Sequence, residues 1–436
     1  MRDRFSRLTR LGASLVLALS ISGTHLRAES MSPGPADQAC GSASSIDDGW
    51  QIALPASVGM DGAQLCTIAA RLAQRSTTVH SVVVVRHGKL VFEQYFPGYD
   101  QPWGRPDGQY EFTATTRHDM RSASKSVTSL LIGIAIDRKL VAGVDEHVLQ
   151  FFPDYAAVKQ PGWDAIKLRH LLTMSSGFKW DEARAWTDPE NDEPHLVTEP
   201  NPLGYVLSRS IAAPPDVLWT YSGGSTELLG NIIERVSNKS LEAFARETLF
   251  QPLGITDVEW KPYKSGKIAA AAGLRLRPRD AAKIGQLVLS RGRWNNQQVV
   301  SADWIAQSIT PRFQAVGYFG GTLLYGYQWW MGRSLAGGKE IKWIAAFGWG
   351  GQRIFIVPEL DLVMMTTAAQ YGQPKEGLAA IDILTNIVIP PCATRIDHEG
   401  SEHEPEIRDR RSHHSSDHRA GNLVRPGAGD AAGTDA

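Results

Sequence analysis

Cysteine, net charge and long hydrophobic segments are all scarce in this chain. Its 436 residues include three cysteines, and 45 Lys and Arg residues oppose 46 Asp and Glu residues, so the formal net charge is −1. A chain with this balance has no overall field that would attract nucleic acid or anionic lipid. The apolar run from Leu11 to Ile21 is too short to span a bilayer as a helix. We therefore expect a small-molecule partner, no nucleic acid and no stable membrane span in the processed chain, and the oligomeric state stays open.

Several catalytic and cofactor motifs are also missing. The sequence contains no Gly-x-Ser-x-Gly elbow, no glycine-rich phosphate loop and no zinc-spaced cluster of ligands. Leu168 precedes His170 by two residues and Leu171 follows it, which favours a hydrogen-bonded core histidine over a member of a Ser-His-Asp triad. We expect no cofactor and no metal ion.

The first 28 residues have the pattern of a secretory signal peptide. A basic start precedes the apolar run, and Ala28 follows at a position suited to cleavage, although Leu26 fits the small-residue rule poorly, so an uncleaved tether is the alternative. An exported chain would be periplasmic or secreted. In that oxidising compartment Cys40, Cys66 and Cys392 could form one disulfide in any of three pairings.

The rest of the chain divides into a leader, one folded domain and a tail. Residues 29–58 are rich in Ser, Pro, Gly and Ala and read as an irregular leader, whereas residues 396–436 are polar and are expected to be disordered. Between them, residues 59–395 carry strand patterns near both ends and helix patterns in the middle. The terminal strands must then meet in one antiparallel sheet, with N- and C-terminal helices against it and a helical lobe inserted at about 113–311. The patterns predict helices at 61–75, 278–289 and 376–388 and strands at 79–85, 90–96, 341–346, 352–357 and 362–367.

The strongest candidate for a catalytic motif is the pair Ser122 and Lys125. These residues are three apart at the start of a long apolar run, so a buried helix would place them on one face. Burial would lower the pKa of Lys125 and let it act as a base that activates Ser122 as a nucleophile. A helix start with a solvent-facing lysine is the alternative. A second Ser-x-x-Lys, at Ser176 and Lys179, lacks the apolar run and reads as a loop.

Three further segments are candidates for the same cleft. Tyr221 lies on a Gly- and Ser-rich loop before a helical run, where its phenol could handle a proton, or simply pack on its own loop. The long segment from Trp180 to Pro202 is acidic and reads as one wall of the cleft. The glycines around Trp349 let the backbone approach another group, and exposed N–H groups there could stabilise an oxyanion, although a plain strand connection fits equally well.

These motifs, in this order and at these separations, resemble the serine β-lactamase and penicillin-recognising superfamily. The resemblance spans roughly residues 60 to 390 and is nearest to the class C-like branch that includes 6-aminohexanoate-dimer hydrolases and β-lactamase-fold esterases. It implies a β-lactamase-like α/β catalytic domain in which Ser122 is acylated, Lys125 and Tyr221 move its proton, and the N–H groups of Ser122 and Trp349 (or Gly350) hold the oxyanion.

Two departures from the family pattern bear on the substrate. Gly223 replaces the asparagine of the second motif, and no lysine stands at or beside Trp349 in the third. Since those two residues help to hold penicillin-like substrates, the resemblance favours an esterase or short-amide hydrolase, and the signal-like first 28 residues favour its export. A β-lactamase or D-alanyl-D-alanine carboxypeptidase, and a non-catalytic ligand-binding receptor, are the alternatives.

Overall fold

The computed structural model describes residues 40–75, 77–318, 322–373 and 377–392. The predicted signal peptide at 1–28 and the polar tail at 396–436 lie outside the described residues. In the described ranges, no helix is both long enough and apolar enough to cross a membrane.

The strands of the described residues follow one another along the chain with most of the long ones near the two ends. They are β1 (Gln51–Ile52), β2 (Val79–Arg86), β3 (Lys89–Tyr95), β4 (Gly98–Asp100), β5 (Gly108–Tyr110), β6 (His118–Asp119), β7 (Glu259–Trp260), β8 (Leu274–Leu276), β9 (Arg293–Trp294), β10 (Gln297–Gln298), β11 (Phe313–Gln314), β12 (Leu324–Tyr325), β13 (Trp330–Ala336), β14 (Lys339–Gly348), β15 (Gln352–Val357) and β16 (Leu362–Ala368).

The helices lie mainly between the two groups of long strands. They are α1 (Gly62–Arg75), α2 (Ala123–Asp137), α3 (Leu168–Leu172), α4 (Asp192–Thr198), α5 (Pro202–Leu207), α6 (Gly223–Ser237), α7 (Leu241–Ala245), α8 (Pro278–Leu289), α9 (Ala302–Ser308) and α10 (Leu378–Ile383), which continues as a π-helical turn at Leu384–Val388.

One large sheet joins the two ends of the chain. Its strand order is β1-β3-β2-β16-β15-β14-β13-β12-β11, and all neighbouring strands are antiparallel except β1 and β3. The early and late strands join where β2 pairs with β16, with Val82 opposite Thr366. The predicted fold class is confirmed, because the early and late strands do meet in a mainly antiparallel sheet.

Helices cover both faces of the sheet. Successive side chains of a strand point to opposite faces, and β2 carries apolar side chains on both faces. Val83 and Val85 of β2 lie in the core shared with α2, α6 and α8. Val82 and Val84 lie in a second core with α1 and α10. Helix α8 packs very close to the sheet, since a Cβ on its Gly285 would lie 2.7 Å from the Val363 side chain.

The described part of the leader packs against the folded domain. Trp50 is buried, and its indole N–H donates to the carbonyl of Arg279 at 3.2 Å. A disulfide between Cys40 and Cys66 ties the leader to α1, and Cys392 is a buried free thiol. The structure thus selects one of the three pairings that the sequence left open.

Arg279 anchors this leader to the domain through buried carboxylates. Its side chain is fully buried and contacts Asp48 at 3.2 Å and Glu93 at 2.6 Å. A buried cation left without partners is strongly destabilising, and so are carboxylates that lose their cation.

We predict that Arg279→Met lowers the free energy of unfolding by about 3–5 kcal/mol, because two buried carboxylates lose their partner. Urea denaturation followed by tryptophan fluorescence measures the change. Arg333→Met is the matched control, since that side chain is 70% exposed. Equal midpoints for the two variants would contradict the prediction.

Candidate active site

Ser122 immediately precedes the first residue of a buried helix. Helix α2 begins at Ala123, and its residues from Ala123 to Ala135 are all buried. Arg121 adopts a positive φ of 48°, so the chain turns sharply just before the serine. The turn and the buried helix together hold the serine in one place.

Lys125 lies one helical turn further on and contacts the serine directly. Its ammonium donates to Ser122 Oγ at 2.9 Å and to the Ala271 carbonyl at 3.4 Å. The Lys125 side chain is only 1% exposed, and its Nζ lies 3.9 Å from an oxygen of Glu182. The predicted pair is therefore in contact, and the lysine faces the interior rather than solvent.

The charge state of Lys125 differs from the sequence-based expectation. Burial is the largest single influence on its pKa and lowers it, but the combined influence of Tyr221, Glu182 and Glu193 is greater and raises the pKa above its ordinary value. The expectation of a neutral amine considered burial alone. That expectation is wrong, because the neighbouring Tyr221, Glu182 and Glu193 raise the pKa of Lys125 and favour its ammonium form.

Tyr221 reaches the same point from the segment before α6. Lys125 Nζ lies 4.9 Å from the centre of the Tyr221 ring, and the phenol interacts with the Ser122 hydroxyl. The ring packs against Tyr318 and Trp330, with centroids 5.2 and 5.5 Å away. Burial raises the pKa of Tyr221, so the phenol is neutral at rest. The structure thus brings together all three side chains that the sequence proposed.

The sequence analysis missed a fourth group, the carboxylate of Glu182. One oxygen accepts from the Gly223 N–H at 2.6 Å and from the Trp180 indole at 2.7 Å. The other oxygen is the one that lies 3.9 Å from Lys125. A Cβ on Gly223 would lie 3.1 Å from this carboxylate. Glu182 therefore stands beside the position where the family pattern has an asparagine.

Glu182 comes from the segment that was predicted to form a cleft wall. The sequence shows Glu182 only as one acidic residue of that wall. Nothing in its neighbouring residues indicates that its side chain reaches Lys125. The segment is also more regular than predicted, since it contains α4, which begins after Asn191 caps its first turn. Trp186 of the same segment stacks on Trp349, with ring centroids 6.3 Å apart and planes 10° apart.

A second buried acid positions the carbonyl that Lys125 contacts. Glu227 accepts from the N–H groups of Ala271 at 2.9 Å and Ala270 at 3.3 Å, and from the Tyr263 hydroxyl at 2.6 Å. Burial raises the pKa of Glu227 to about 7. These contacts fix the backbone whose carbonyl receives the Lys125 ammonium.

The third motif meets the first through the backbone. Strand β14 ends at Gly348, where a Cβ would lie 2.1 Å from the carbonyl oxygen of Met120. The buried Arg353 donates to the Gly348 carbonyl at 2.6 Å and fixes the end of the strand. Neither the N–H of Ser122 nor that of Trp349 has a backbone acceptor within the described residues. Both remain candidates for oxyanion donors, as predicted.

The other candidates lie elsewhere. Lys179 of the second Ser-x-x-Lys is exposed and outside any helix. His170 is buried, donates to Asp216 at 3.0 Å and accepts from the Lys167 N–H at 3.0 Å, which agrees with its expected role as a core histidine.

We predict that Gly348→Ala slows the reaction of Ser122 with a fluorophosphonate probe by at least about 10²-fold, because β14 must retreat from Met120 and misplace the oxyanion donors. Labelling rates from intact-protein mass spectrometry measure this. Gly143→Ala is the control, since nothing lies within 4 Å of a Cβ there. An unchanged rate in folded Gly348→Ala protein would refute the close approach.

Comparisons with known proteins identify the family and the fold. The Beta-lactamase family model matches residues 67–385. Lovastatin esterase of Penicillium rubens is 29% identical over 206 residues, and the match spans 45% of this chain and 50% of that protein. The 6-aminohexanoate-dimer hydrolase of Paenarthrobacter ureafaciens is 22% identical over 312 residues, which span 66% of this chain and 72% of that protein.

A solved structure shows the same fold. A penicillin-binding protein homologue from Pyrococcus abyssi superposes with a TM-score of 0.58 at 22% sequence identity, over 76% of this chain and 78% of that chain. The family match covers well over half of the sequence and includes all three motifs. The chain therefore belongs to the beta-lactamase family, as its motifs predicted.

Proposed function

We propose that this protein is an exported serine hydrolase that cleaves a small ester or amide through an acyl-enzyme on Ser122. The observation that carries the proposal is the 2.9 Å contact between Ser122 Oγ and the buried Lys125, with Tyr221 beside both. The names of two relatives, an esterase and a 6-aminohexanoate-dimer hydrolase, support the same reaction class.

In the first step, Ser122 Oγ attacks the substrate carbonyl. The serine proton passes to the Tyr221 oxygen while the phenol proton passes to the leaving group, so Tyr221 starts and ends the step neutral. Proton transfer by a positioned side chain contributes about 10²–10⁴-fold. The Lys125 ammonium stabilises the negative charge that develops on both oxygens, which needs no neutral lysine.

The N–H groups of Ser122 and Trp349 then hold the carbonyl oxygen as it becomes negative. Losing one such donor costs about 3–4 kcal/mol of barrier in comparable sites. In the second step water attacks the acyl group, its proton moves through Tyr221 to Ser122 Oγ, and the acid is released.

The surroundings favour a substrate without a carboxylate beside the reacting carbonyl. No lysine stands at the third motif, where the exposed Trp349 stacks on Trp186, and the Glu182 carboxylate occupies the space beside Gly223. An acid at this point repels an anionic group, whereas the two indoles offer an apolar surface. These features favour neutral esters and linear amides over penicillins and D-alanyl peptides.

Export is supported by the signal-like first 28 residues and by the Cys40–Cys66 disulfide, because disulfides persist in oxidising compartments. Fractionation of expressing cells, with detection of the shortened chain outside the cytoplasm, tests this part of the proposal.

We predict that Ser122→Ala lowers kcat by at least about 10³-fold, because no other group can form the acyl-enzyme. A panel of p-nitrophenyl esters, short linear amides and nitrocefin measures both the loss and the preference, and esters or amides should outpace nitrocefin. Ser176→Ala, in the second Ser-x-x-Lys, should keep wild-type activity. Near-normal turnover by Ser122→Ala would exclude the proposal.

We predict that Glu182→Gln shifts the alkaline limb of the kcat/KM profile to lower pH. The carboxylate raises the pKa values of both Lys125 and Tyr221, so its removal lets the ammonium and the phenol lose their protons earlier as pH rises. Because both ordinary pKa values lie at about 10 or above, initial rates between about pH 8 and 11.5, corrected for spontaneous hydrolysis, are needed to locate the limb. Glu190→Gln, on the same segment and with a side chain 70% exposed, is the control. A limb that stays in place or moves to higher pH would contradict this role of Glu182.

A further inference from the structure

Three buried side chains outside the cleft form an unusual cluster. His80 of β2, Asp100 of β4 and His118 of β6 are 0%, 3% and 1% exposed. One nitrogen of each imidazole and a carboxylate oxygen all lie within 4.8 Å of one another. The nitrogens that face each other are His80 Nδ1 and His118 Nε2, at 3.0 Å, and Asp100 lies 3.5 Å from the latter.

The outward nitrogens of both rings meet carbonyl oxygens. His80 Nε2 lies 3.1 Å from the Tyr99 carbonyl, and His118 Nδ1 lies 3.1 Å from the Asp119 carbonyl. A carbonyl oxygen can only accept, so each outward nitrogen is satisfied when it carries its ring's hydrogen. Two neutral rings have no hydrogen left for the 3.0 Å contact between them.

The cluster therefore lacks one positive charge. Two lone pairs face each other beside the Asp100 carboxylate, in a buried site where unpaired acceptors are costly. Either a third proton or a metal cation fills this position. Two neutral imidazoles and one carboxylate are ligands that divalent first-row ions favour, and outward N–H groups held by carbonyls are the usual support for ligating histidines.

We propose that His80, Asp100 and His118 bind a divalent transition-metal ion, with Zn²⁺ as the best match to this ligand set. The sequence analysis expected no metal because the three ligands lie on separate strands and have no motif spacing. This site does not depend on the proposed hydrolase activity.

The position of the site lets a bound ion stabilise the chain segment that immediately precedes Ser122. His118 is four residues before the serine, and the other oxygen of Asp100 accepts from the Tyr371 hydroxyl at 3.1 Å. The Tyr371 ring contacts Trp349, with centroids 5.0 Å apart. A bound ion would thus fix both the chain that leads to the nucleophile and one wall of the cleft.

The test removes the tail histidines so that any bound metal is assigned to the folded domain. The protein used is the full chain with the five tail histidines changed to Gln, purified without metal affinity; they are His398, His403, His413, His414 and His418. Elemental analysis gives the metal content, calorimetry with Zn²⁺ gives the affinity of the chelator-stripped protein, and thermal unfolding gives Tm with and without chelator.

We expect about one ion per chain, and a Tm that falls by at least about 4 °C on chelation and recovers with Zn²⁺. Asp100→Asn, which keeps the shape of the side chain, should bind Zn²⁺ at least about tenfold more weakly. His147→Asn, an exposed histidine, should behave like its parent. A metal-free parent whose Tm ignores both chelator and Zn²⁺ would overturn the proposal in favour of a shared proton, and so would unweakened binding by Asp100→Asn.

Discussion

The structure depends on a buried ammonium at Lys125. Removing such a group from water costs several kcal/mol unless it is paired and hydrogen-bonded. The protein meets this requirement with Ser122 Oγ, the Ala271 carbonyl and the nearby Glu182 carboxylate. These partners lie at residues 122, 182 and 271, far apart in the sequence. Hydrogen bonding and pairing of the Lys125 ammonium therefore bring together the segments that form the cleft.

The sheet and the part of the chain between α3 and β8 each supply one side of this arrangement. The sheet brings the end of β14 against the backbone of Met120, which places Trp349 near the start of α2. The part between α3 and β8 carries Tyr221 and Glu182, and there Glu227 fixes Ala271 by accepting its N–H. Tyr221, Glu182 and Glu193 all lie in this part of the chain, and together they outweigh burial and raise the pKa of Lys125.

The sequence was most informative where the cause is local. Apolar periodicity located α1, β2, β15 and α8 closely, and an apolar run after Ser-x-x-Lys distinguished Ser122 from Ser176, since both signals come from neighbouring residues. Contacts between distant segments leave no such local signal. Three examples are the Cys40–Cys66 disulfide, the contact of Glu182 with Gly223 and the contact of His80 with His118. The pKa of Lys125 was misjudged for the same reason, because burial is evident from a local apolar pattern and the distant acids are not.

The central claim is that Ser122 carries the acyl group of the substrate during turnover. Rapid acid quenching during hydrolysis of a p-nitrophenyl ester, followed by peptide mapping, locates that group. The account predicts a mass increase equal to the acyl group on the peptide that contains Ser122, formed as fast as the first p-nitrophenol is released. An acyl group trapped on a residue other than Ser122 would contradict it.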